Sequence, residues 1–554
     1  MELPQPVNQT FSSLLNDVEK GLIKIPQFQR DFVWDIKRSA NLMDSIIKGY
    51  PIGTFIFWKT KERLRSLKEI GNASFPEPPD GDFVNFILDG QQRLTTLFAS
   101  LKGVTILRES GRTDDYSEIY IDLDANEDER VIKTEIDDGH KHNHIKITDL
   151  LYGGFTFLAK FPEAYLKKLE EYKKRIESYP FSIILVKEAP IDVATEIFTR
   201  INVGGKTLSL FEIMVAKTYD SKTDFDLSEK YEELMDDLSS VGYDTISNST
   251  ILQVISLVLS KECTRKKILT LNKNEFVANW DKSMEAIKSA VDYFRGFYRI
   301  PVSQLLPYNA MIVPFAYFFY NHKDKPVGKK QKFLLDFFWR CSLSGRYSSG
   351  VENKLAQDIQ RIDSILKDEL PQYDWSLNVT KDFIIENGWF STGKSFIKAI
   401  LSLYAYHQPK SFIDDSIVTI DNNWLKIATS KNYHHFFPKA YLKKLGHDNF
   451  HINHILNITI VDDFLNKKKI KDKAPSKYMK EFKKQNKNMD ETMKSHLISD
   501  LEKFGIWDDN YDKFFDDRAK LIVREIKKRI IEQDIDKEKM IIIHEEFEEE
   551  DFSD

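Results

Sequence analysis

The segment from residue 432 to residue 466 constrains the fold of this chain more than any other. It opens with Asn-Tyr-His-His-Phe-Phe-Pro, and Pro438 can begin a helix because the first helical residue needs no backbone N–H donor. We therefore expect a short helix over Lys439–Leu445. The apolar run His454–Val461 predicts a strand, and a helix is expected over Asp462–Lys468. Together these elements predict a unit of strand, loop, strand and helix.

Four polar side chains of this segment are suited to hydrolytic chemistry: His434, His435, Asn457 and Asn466. Hydrolysis of a phosphodiester needs a base that takes a proton from water. It also needs a divalent cation to neutralise charge on the phosphate. Histidine has a suitable pKa for the first task. Histidine and asparagine at these distances are what a one-metal nuclease site needs, whereas two adjacent histidines alone could equally be a surface cap.

The same region carries an excess of positive charge. Residues 431–480 contain eleven lysines, no arginine and four aspartates, a local net charge of +7, whereas the whole chain has a net charge of −6. Such a patch suits contact with a phosphate backbone, and we select Lys467, Lys468 and Lys469 as DNA-contact residues. The alternative is a lysine-rich helix that is simply solvated.

A second candidate site lies near residue 90. The apolar run Phe83–Leu88 predicts a strand that leads into Asp89-Gly-Gln-Gln-Arg93, and a helix follows. A strand, a glycine turn and a helix direct N–H groups towards an anion. Gly90 allows close approach of the backbone, Arg93 could bind a phosphate, and Asp89 could hold a metal or orient water. The alternative is a purely structural turn.

Two further blocks have a similar polar character. In the block from Ile25 to Trp34, glutamines and an arginine alternate with aromatic residues, so they face either a ligand or solvent at a sheet edge. In the block Ile197–Ser209, Gly205-Lys-Thr looks like the end of a phosphate-binding loop. The full pattern needs glycine where Arg200 stands, so this is not such a loop. Ser209 and Glu212 instead predict a capping box at a helix start.

The blocks Ile25–Arg30, Asp89–Arg93 and Ile197–Ser209 together resemble the N-terminal domain of GmrSD-type restriction endonucleases, a family of phage-defence proteins that includes SspE and BrxU. The resemblance implies a ParB/sulfiredoxin-like α/β fold that binds and hydrolyses an NTP, whether GTP, UTP or ATP. The nucleotide-binding residues it implies are Gln29, Arg30, Asp89, Gly90, Gln91, Gln92, Arg93 and Asn202.

The C-terminal segment resembles the HNH nuclease domain, a ββα-metal finger, of the same family. The matching blocks are His434-His-Phe-Phe-Pro438, Asn457-Ile-Thr-Ile460 and Asn466-Lys-Lys-Lys-Ile470. The resemblance implies that His435 is the general base and that Asn457 fixes the loop carrying it. It also implies that His434 and Asn466 bind Mg²⁺ or Mn²⁺. Many HNH enzymes have an acidic residue in place of His434, and imidazole also suits cobalt, nickel and zinc.

At 554 residues the chain is too long for one core. We expect an α+β multidomain protein with a nucleotide-binding domain over 1–220, a helical connector over 221–400, an HNH domain over 401–540 and an acidic tail over 541–554. Two cysteines exclude a disulfide framework. No apolar run reaches the roughly 18 residues of a membrane span, so we expect no membrane partner and a cytoplasmic location.

These features predict an NTP-regulated, metal-dependent DNA endonuclease, similar to type IV restriction enzymes, that acts on foreign or modified phage DNA. A homodimer is one option for its assembly. One alternative is a nucleotide-sensing DNA-binding adaptor with an inactive finger. Another is an RNA-cleaving toxin, because HNH chemistry also serves RNA.

Other polar stretches have simpler explanations. The three histidines between residues 140 and 144 lie in a charged segment, which favours a solvated loop over a metal site. Arg346 follows a predicted helix in a serine- and glycine-rich stretch, where a cap and turn are favoured over DNA contact. His451 and His454 are candidates for additional phosphate contacts.

Overall fold

Apolar runs separated by glycines and polar turns produce the central sheet of the N-terminal part. In chain order the strands are β1 (Gln5–Thr10), β2 (Ile23–Lys24), β3 (Phe55–Thr60), β4 (Glu69–Ile70), β5 (Ala73–Ser74), β6 (Val84–Asp89), β7 (Thr105–Leu107), β8 (Thr113–Asp115), β9 (Tyr120–Asp122), β10 (Ile132–Lys133), β11 (His144–Lys146) and β12 (Pro180–Lys187). The five-stranded sheet has the order β1-β12-β3-β6-β2. Its parallel pairs are β12–β3 and β2–β6, and the others are antiparallel.

The computed structural model describes residues 3–26, 32–67, 69–79, 81–108, 111–126, 129–136, 143–201, 209–219, 223, 225–421, 433–461, 470 and 472–537. The chain divides into two units, Met1–Leu227 and Ser228–Asp554. The mixed α+β class expected from the sequence is confirmed. The finer domain limits at residues 220, 400 and 540 stay predictions. None of the helices in the described residues is both long enough and apolar enough to cross a membrane.

Amphipathic helices cover the sheet of the first unit. They are α1 (Phe11–Glu19), α2 (Ile36–Ile47), α3 (Gln91–Lys102), α4 (Ile147–Tyr152), α5 (Gly154–Leu158), α6 (Glu163–Glu177), α7 (Ile191–Ile201) and α8 (Leu210–Thr218). The predicted inward face of α3 is confirmed, because Leu94, Leu97, Phe98 and Leu101 are all buried. The predicted capping box is also present, with reciprocal bonds between Ser209 and Glu212 at the start of α8.

The expectation of a solvated histidine loop is wrong for His144. This residue lies on β11, which pairs with β9, and its ring is largely buried. Its Nδ1 lies 2.9 Å from the side-chain oxygen of Asn143. Pairing with β9 stabilises a strand here, although the high local charge of this stretch favours a loop. The other two histidines of the segment lie outside the described residues.

Helices build the first half of the second unit, in agreement with the helical pattern of the sequence. They are α9 (Leu227–Ser240), α10 (Asn248–Ser260), α11 (Arg265–Thr270), α12 (Lys273–Gly296), α13 (Ile312–Asn321), α14 (Gly328–Leu343), α15 (Val351–Leu366), α16 (Lys381–Glu386) and α17 (Ser395–Tyr406). Short 3-10 turns lie at Ser303–Leu305 and Asn309–Met311. An aromatic cluster of Phe294, Tyr298, Phe315 and Phe338 lies at the centre of these helices. Full burial of each such ring contributes about 1.5–3 kcal/mol.

Arg346 is structural and does not face DNA. Its side chain is 8% exposed and donates to the carboxylate of Asp358 at 3.1 and 3.2 Å. Its guanidinium also stacks 4.1 Å from the ring of Trp375. The DNA contact that the sequence left open is therefore excluded, because a buried cation needs its carboxylate partner inside the protein.

The C-terminal part of this unit adds a two-stranded sheet to a set of helices. The elements are β13 (Tyr433–His435), α18 (Lys439–Lys444), α19 (Asn449–Ile452), β14 (Ile458–Ile460), α20 (Pro475–Gln485), α21 (Met489–Ser495) and α22 (Tyr511–Lys527), with a 3-10 turn at Asp534–Lys537. The predicted strand His454–Val461 is shorter than expected, since Ile455–Asn457 forms a 3-10 turn. The ring of His454 caps this turn by accepting a hydrogen bond from Leu456 N. The helix predicted over Asp462–Lys468 lies outside the described residues.

Candidate active site

His434 and His435 lie on β13, directly opposite β14. In this antiparallel pair His434 faces Thr459 and His435 faces Ile458. Successive side chains on a strand point to opposite faces. His434 accordingly points into the core and is 2% exposed, whereas His435 is half-buried. The two rings are neighbours in sequence but occupy different surroundings.

The hydrogen bonds of His434 define which ring nitrogen carries the proton. The Thr459 hydroxyl donates to the His434 carbonyl oxygen at 3.3 Å. That hydroxyl has no second proton, so it accepts from His434 Nδ1–H, also at 3.3 Å. Nε2 is then the nitrogen with the lone pair, and it has no hydrogen-bond partner in the described part of the chain. Burial lowers the pKa of His434 to about 3, so the ring is neutral at pH 7.

These features fit a metal ligand. Histidines that bind metals present an unprotonated nitrogen while the other ring nitrogen donates to a protein oxygen, and His434 shows this form. The second expected ligand, Asn466, lies outside the described residues, as do the expected DNA contacts Lys467, Lys468 and Lys469. Within the described ranges there is no group of three His, Cys, Asp or Glu side chains that could hold a metal ion. The proposed ligands are one histidine and one asparagine, so they would not count as such a group.

His435 contacts a residue that was not among the candidates from the sequence. Its Nε2 lies 3.0 Å from Oδ1 of Asn453, the residue that follows α19. Burial and the positive charge of Lys439 lower the pKa of His435 to about 3, and the bond to Asn453 opposes this shift. His435 is therefore neutral at pH 7 and able to accept a proton. A phosphate bound nearby would raise this pKa, because a negative charge favours the imidazolium.

Asn457 connects the loop after His435 to the rest of the site. Its Oδ1 accepts from Phe437 N at 2.8 Å, and its Nδ2 donates to the oxygens of Phe437 and Ile452 at 3.0 and 3.1 Å. Its backbone oxygen also accepts from Phe436 N at 2.8 Å. The side chain is fully buried. All three side-chain bonds are thus protected from water, which favours a single loop conformation.

A buried arginine on α22 binds the backbone on both sides of Asn457. Arg518 Nη1 donates to the carbonyl oxygens of Leu456 and Ile458 at 2.7 Å, and its Nη2 donates to His496 O at 3.0 Å. Its partners are thus carbonyl groups and the nearby ring of Tyr404. The sequence gives one signal for this residue, a cation on the buried face of an amphipathic helix.

The two extra phosphate contacts proposed from the sequence have different outcomes. His454 is fully buried, and its Nε2 lies 2.9 Å from Ile385 O, so its predicted phosphate contact is wrong. The apolar neighbours Phe450 and Phe515 fill the space around its ring. His451 is half-buried, and its Nδ1 lies 2.6 Å from the carboxylate of Asp448, so its phosphate contact stays a prediction.

The turn after β6 is closely packed around Arg93. Its guanidinium donates to the oxygens of Ile52 and Thr54 at 2.8 and 3.0 Å and to the Asp89 carboxylate at 2.9 Å. Gly53 has φ +88°, and a Cβ there would lie 2.3 Å from Arg93 Nη1, so only glycine fits. Arg93 is therefore already engaged within the protein, and a phosphate would compete with these partners.

The neighbouring polar residues differ in exposure. Gln91 and Gln92 are buried in the first turn of α3, and Gln92 Oε1 accepts from Val33 N at 2.9 Å. Gly90 precedes them with φ +96°, and it lies so close to the ring of Phe55 that a Cβ atom would collide with that ring. Asp89 keeps a third of its side chain exposed and is the group most accessible to a ligand. The other predicted nucleotide residues, Gln29, Arg30 and Asn202, lie outside the described residues.

Comparison with known families gives a match within the first unit. Residues 11–219 match the GmrSD restriction endonuclease N-terminal domain. The N-terminal half of the predicted resemblance is thereby confirmed, and the match points to a restriction endonuclease. The ParB-like fold and the HNH nuclease domain stay predictions.

A relative extends the likeness beyond the GmrSD N-terminal domain. An uncharacterized protein of Methanocaldococcus jannaschii, MJ0686, is 24% identical over 594 aligned positions, which cover 93% of this chain and 97% of that protein. The alignment therefore spans both units of this chain.

The unit that follows the GmrSD N-terminal domain is expected to lose stability as the pH falls below 6.5. Burial lowers the pKa of His454 and His496 from 6.5 to about 4. The unfolded chain therefore binds protons that the folded chain excludes, at about 1.4 kcal/mol per histidine and pH unit. Each histidine thus reduces stability by about 2 kcal/mol between pH 6.5 and 5. Urea unfolding of wild type and His496→Gln at several pH values tests this, and equal slopes would contradict it.

Proposed function

We propose that this chain is a divalent-metal-dependent DNA endonuclease of anti-phage defence, with the cutting site around His435 and control by an NTP bound at the GmrSD-type domain. The observation that carries the proposal is the anchoring of the loop after His435 by Asn457. A neutral imidazole whose following loop is fixed by buried hydrogen bonds suits a general base. The N-terminal match to a restriction endonuclease family supports the same reading.

Each residue of the proposed site would have a separate role in the reaction. His435 would take the proton of the attacking water as the new P–O bond forms. The P–O bond to the leaving sugar oxygen breaks, and that oxygen takes a proton from solvent. Asn457 would hold the loop and hence the ring. The cation, Mg²⁺ or Mn²⁺, would be held by His434 and Asn466 and would supply charge neutralisation on the phosphate. Lysines of the 431–480 segment would contact the DNA backbone.

Cleavage of phage DNA tests the proposal. Glucosylated, phosphorothioated and unmodified DNA are incubated with the full chain, Mg²⁺ or Mn²⁺, and GTP, UTP, ATP or no nucleotide. We expect cleavage of at least one DNA with a metal, none with EDTA, and a change in rate with one NTP. Binding of DNA without cleavage in every condition would favour an adaptor with an inactive finger.

Hydrolysis of NTP is expected to depend on Asp89. We expect Asp89→Asn to lower the rate of NTP hydrolysis by about 10²-fold, the typical contribution of a carboxylate that orients water. Asparagine keeps a side-chain oxygen that can accept from Arg93, so the domain should remain folded. A malachite-green phosphate assay measures the rate. Asp115→Asn changes an exposed carboxylate of the same unit and should have no effect. Normal turnover by Asp89→Asn would remove Asp89 from the site.

A further inference from the structure

The side chain of Asn453 bridges His435 and a backbone segment of the second unit. One end of its amide lies 3.0 Å from His435 Nε2, and the other lies 3.4 Å from Phe390 O. The backbone of Asn453 is held as well, because its carbonyl oxygen accepts from Phe390 N at 2.9 Å. The next residue, His454, forms a β-bridge with Trp389. Asn453 is therefore fixed through both its side chain and its backbone.

The Phe390 carbonyl determines how the Asn453 amide is oriented. A carbonyl oxygen can only accept, so the NH₂ group of Asn453 must face Phe390. The amide oxygen then faces His435 and can only accept from it. His435 Nε2 must therefore carry the proton, which leaves the lone pair on Nδ1.

We propose that Asn453 is a positioning residue that holds His435 in the Nε2–H tautomer, so that Nδ1 is the atom that accepts the proton of water. The catalytic role of this tautomer rests on the proposed nuclease function, whereas the tautomer itself follows from the hydrogen bonds of Asn453. Asn453 does not touch the reacting atoms. It acts through His435 by fixing the direction of the ring and the nitrogen that is free to react.

The tautomer can be observed without any activity. In a sample with ¹⁵N-labelled histidine, long-range ¹H–¹⁵N correlation spectra at neutral pH distinguish Nε2–H from Nδ1–H rings. The His435 signals are assigned from their absence in His435→Ala. We expect Nε2–H in the wild type, a mixture in Asn453→Ala, and Nε2–H again in Asn453→Asp, which keeps the accepting oxygen. An Nδ1–H ring in the wild type, or an unchanged tautomer in Asn453→Ala, would overturn the proposal.

The kinetic consequence is measured on the same variants. Outer partners of catalytic or metal-bound histidines typically contribute 10–100-fold, so we expect Asn453→Ala to lower kcat by about that factor with little change in KM. Asn453→Asp should recover part of the rate. Asn449 is an exposed asparagine of α19, four residues before Asn453, and Asn449→Ala should leave kcat unchanged. Equal kcat for wild type and Asn453→Ala would overturn the positioning role. If the wild type cuts no DNA, the nuclease proposal fails, and the spectra still decide the tautomer.

Discussion

Replacement of His435 by alanine is expected to lower the rate of DNA cleavage by about 10²–10⁴-fold, the usual contribution of a positioned general base. His435 is half-buried at the end of β13, so its removal leaves the strand pair and the loop bonds of Asn457 in place. DNA binding should therefore change little. Initial rates of plasmid nicking and the DNA affinity in Ca²⁺ measure the two effects separately.

Asn449→Ala is the control for this prediction. Asn449 lies on α19 and is exposed, so its loss should not alter the rate by more than about twofold. Cleavage by His435→Ala at the wild-type rate would contradict the assignment of the base. A rate lost equally in both variants would indicate a general effect on the fold of this region.

Replacement of Asn457 by alanine is expected to have the largest effect on stability. It leaves the N–H and carbonyl of Phe437 and the carbonyl of Ile452 buried without partners. An unsatisfied buried group costs about 1–3 kcal/mol, so we expect a loss of about 3–5 kcal/mol from these three groups together. Cleavage should be lost with it, since the loop after His435 is no longer held.

Urea unfolding that resolves the second unit measures this loss. Asn449→Ala serves as the control, because Asn449 is exposed and its replacement should change stability by less than about 0.5 kcal/mol. A change below about 1 kcal/mol in Asn457→Ala would show that the loop is held by other contacts, such as the bond from Tyr478 to Phe436 O at 2.5 Å.

Local signals in the sequence predict the elements around the sites well. Gly90 marks the turn before α3, Ser209 marks the start of α8, and Pro438 immediately precedes α18. The conformation at each of these positions depends on a few residues that are neighbours in the sequence. A local sequence pattern is therefore enough to predict it. The inward face of α3 follows equally from its apolar period.

The partners of the site residues depend on distant parts of the chain. Asn453 reaches His435 across 18 residues, and Arg518 reaches Leu456 across 62 residues. No periodicity or motif encodes such contacts, because they arise when whole elements pack together. His454 shows the same limit, since burial against Phe450 and Phe515 converts a candidate ligand contact into a cap for a turn.

The proposed nuclease needs a divalent ion that is bound by His434 and Asn466. An electron paramagnetic resonance titration of the full chain with Mn²⁺, run in parallel on wild type and His434→Ala, tests it most directly. We predict one Mn²⁺ bound per wild-type chain and an affinity at least about tenfold weaker in His434→Ala. Equal affinity and stoichiometry in the two proteins would contradict the account.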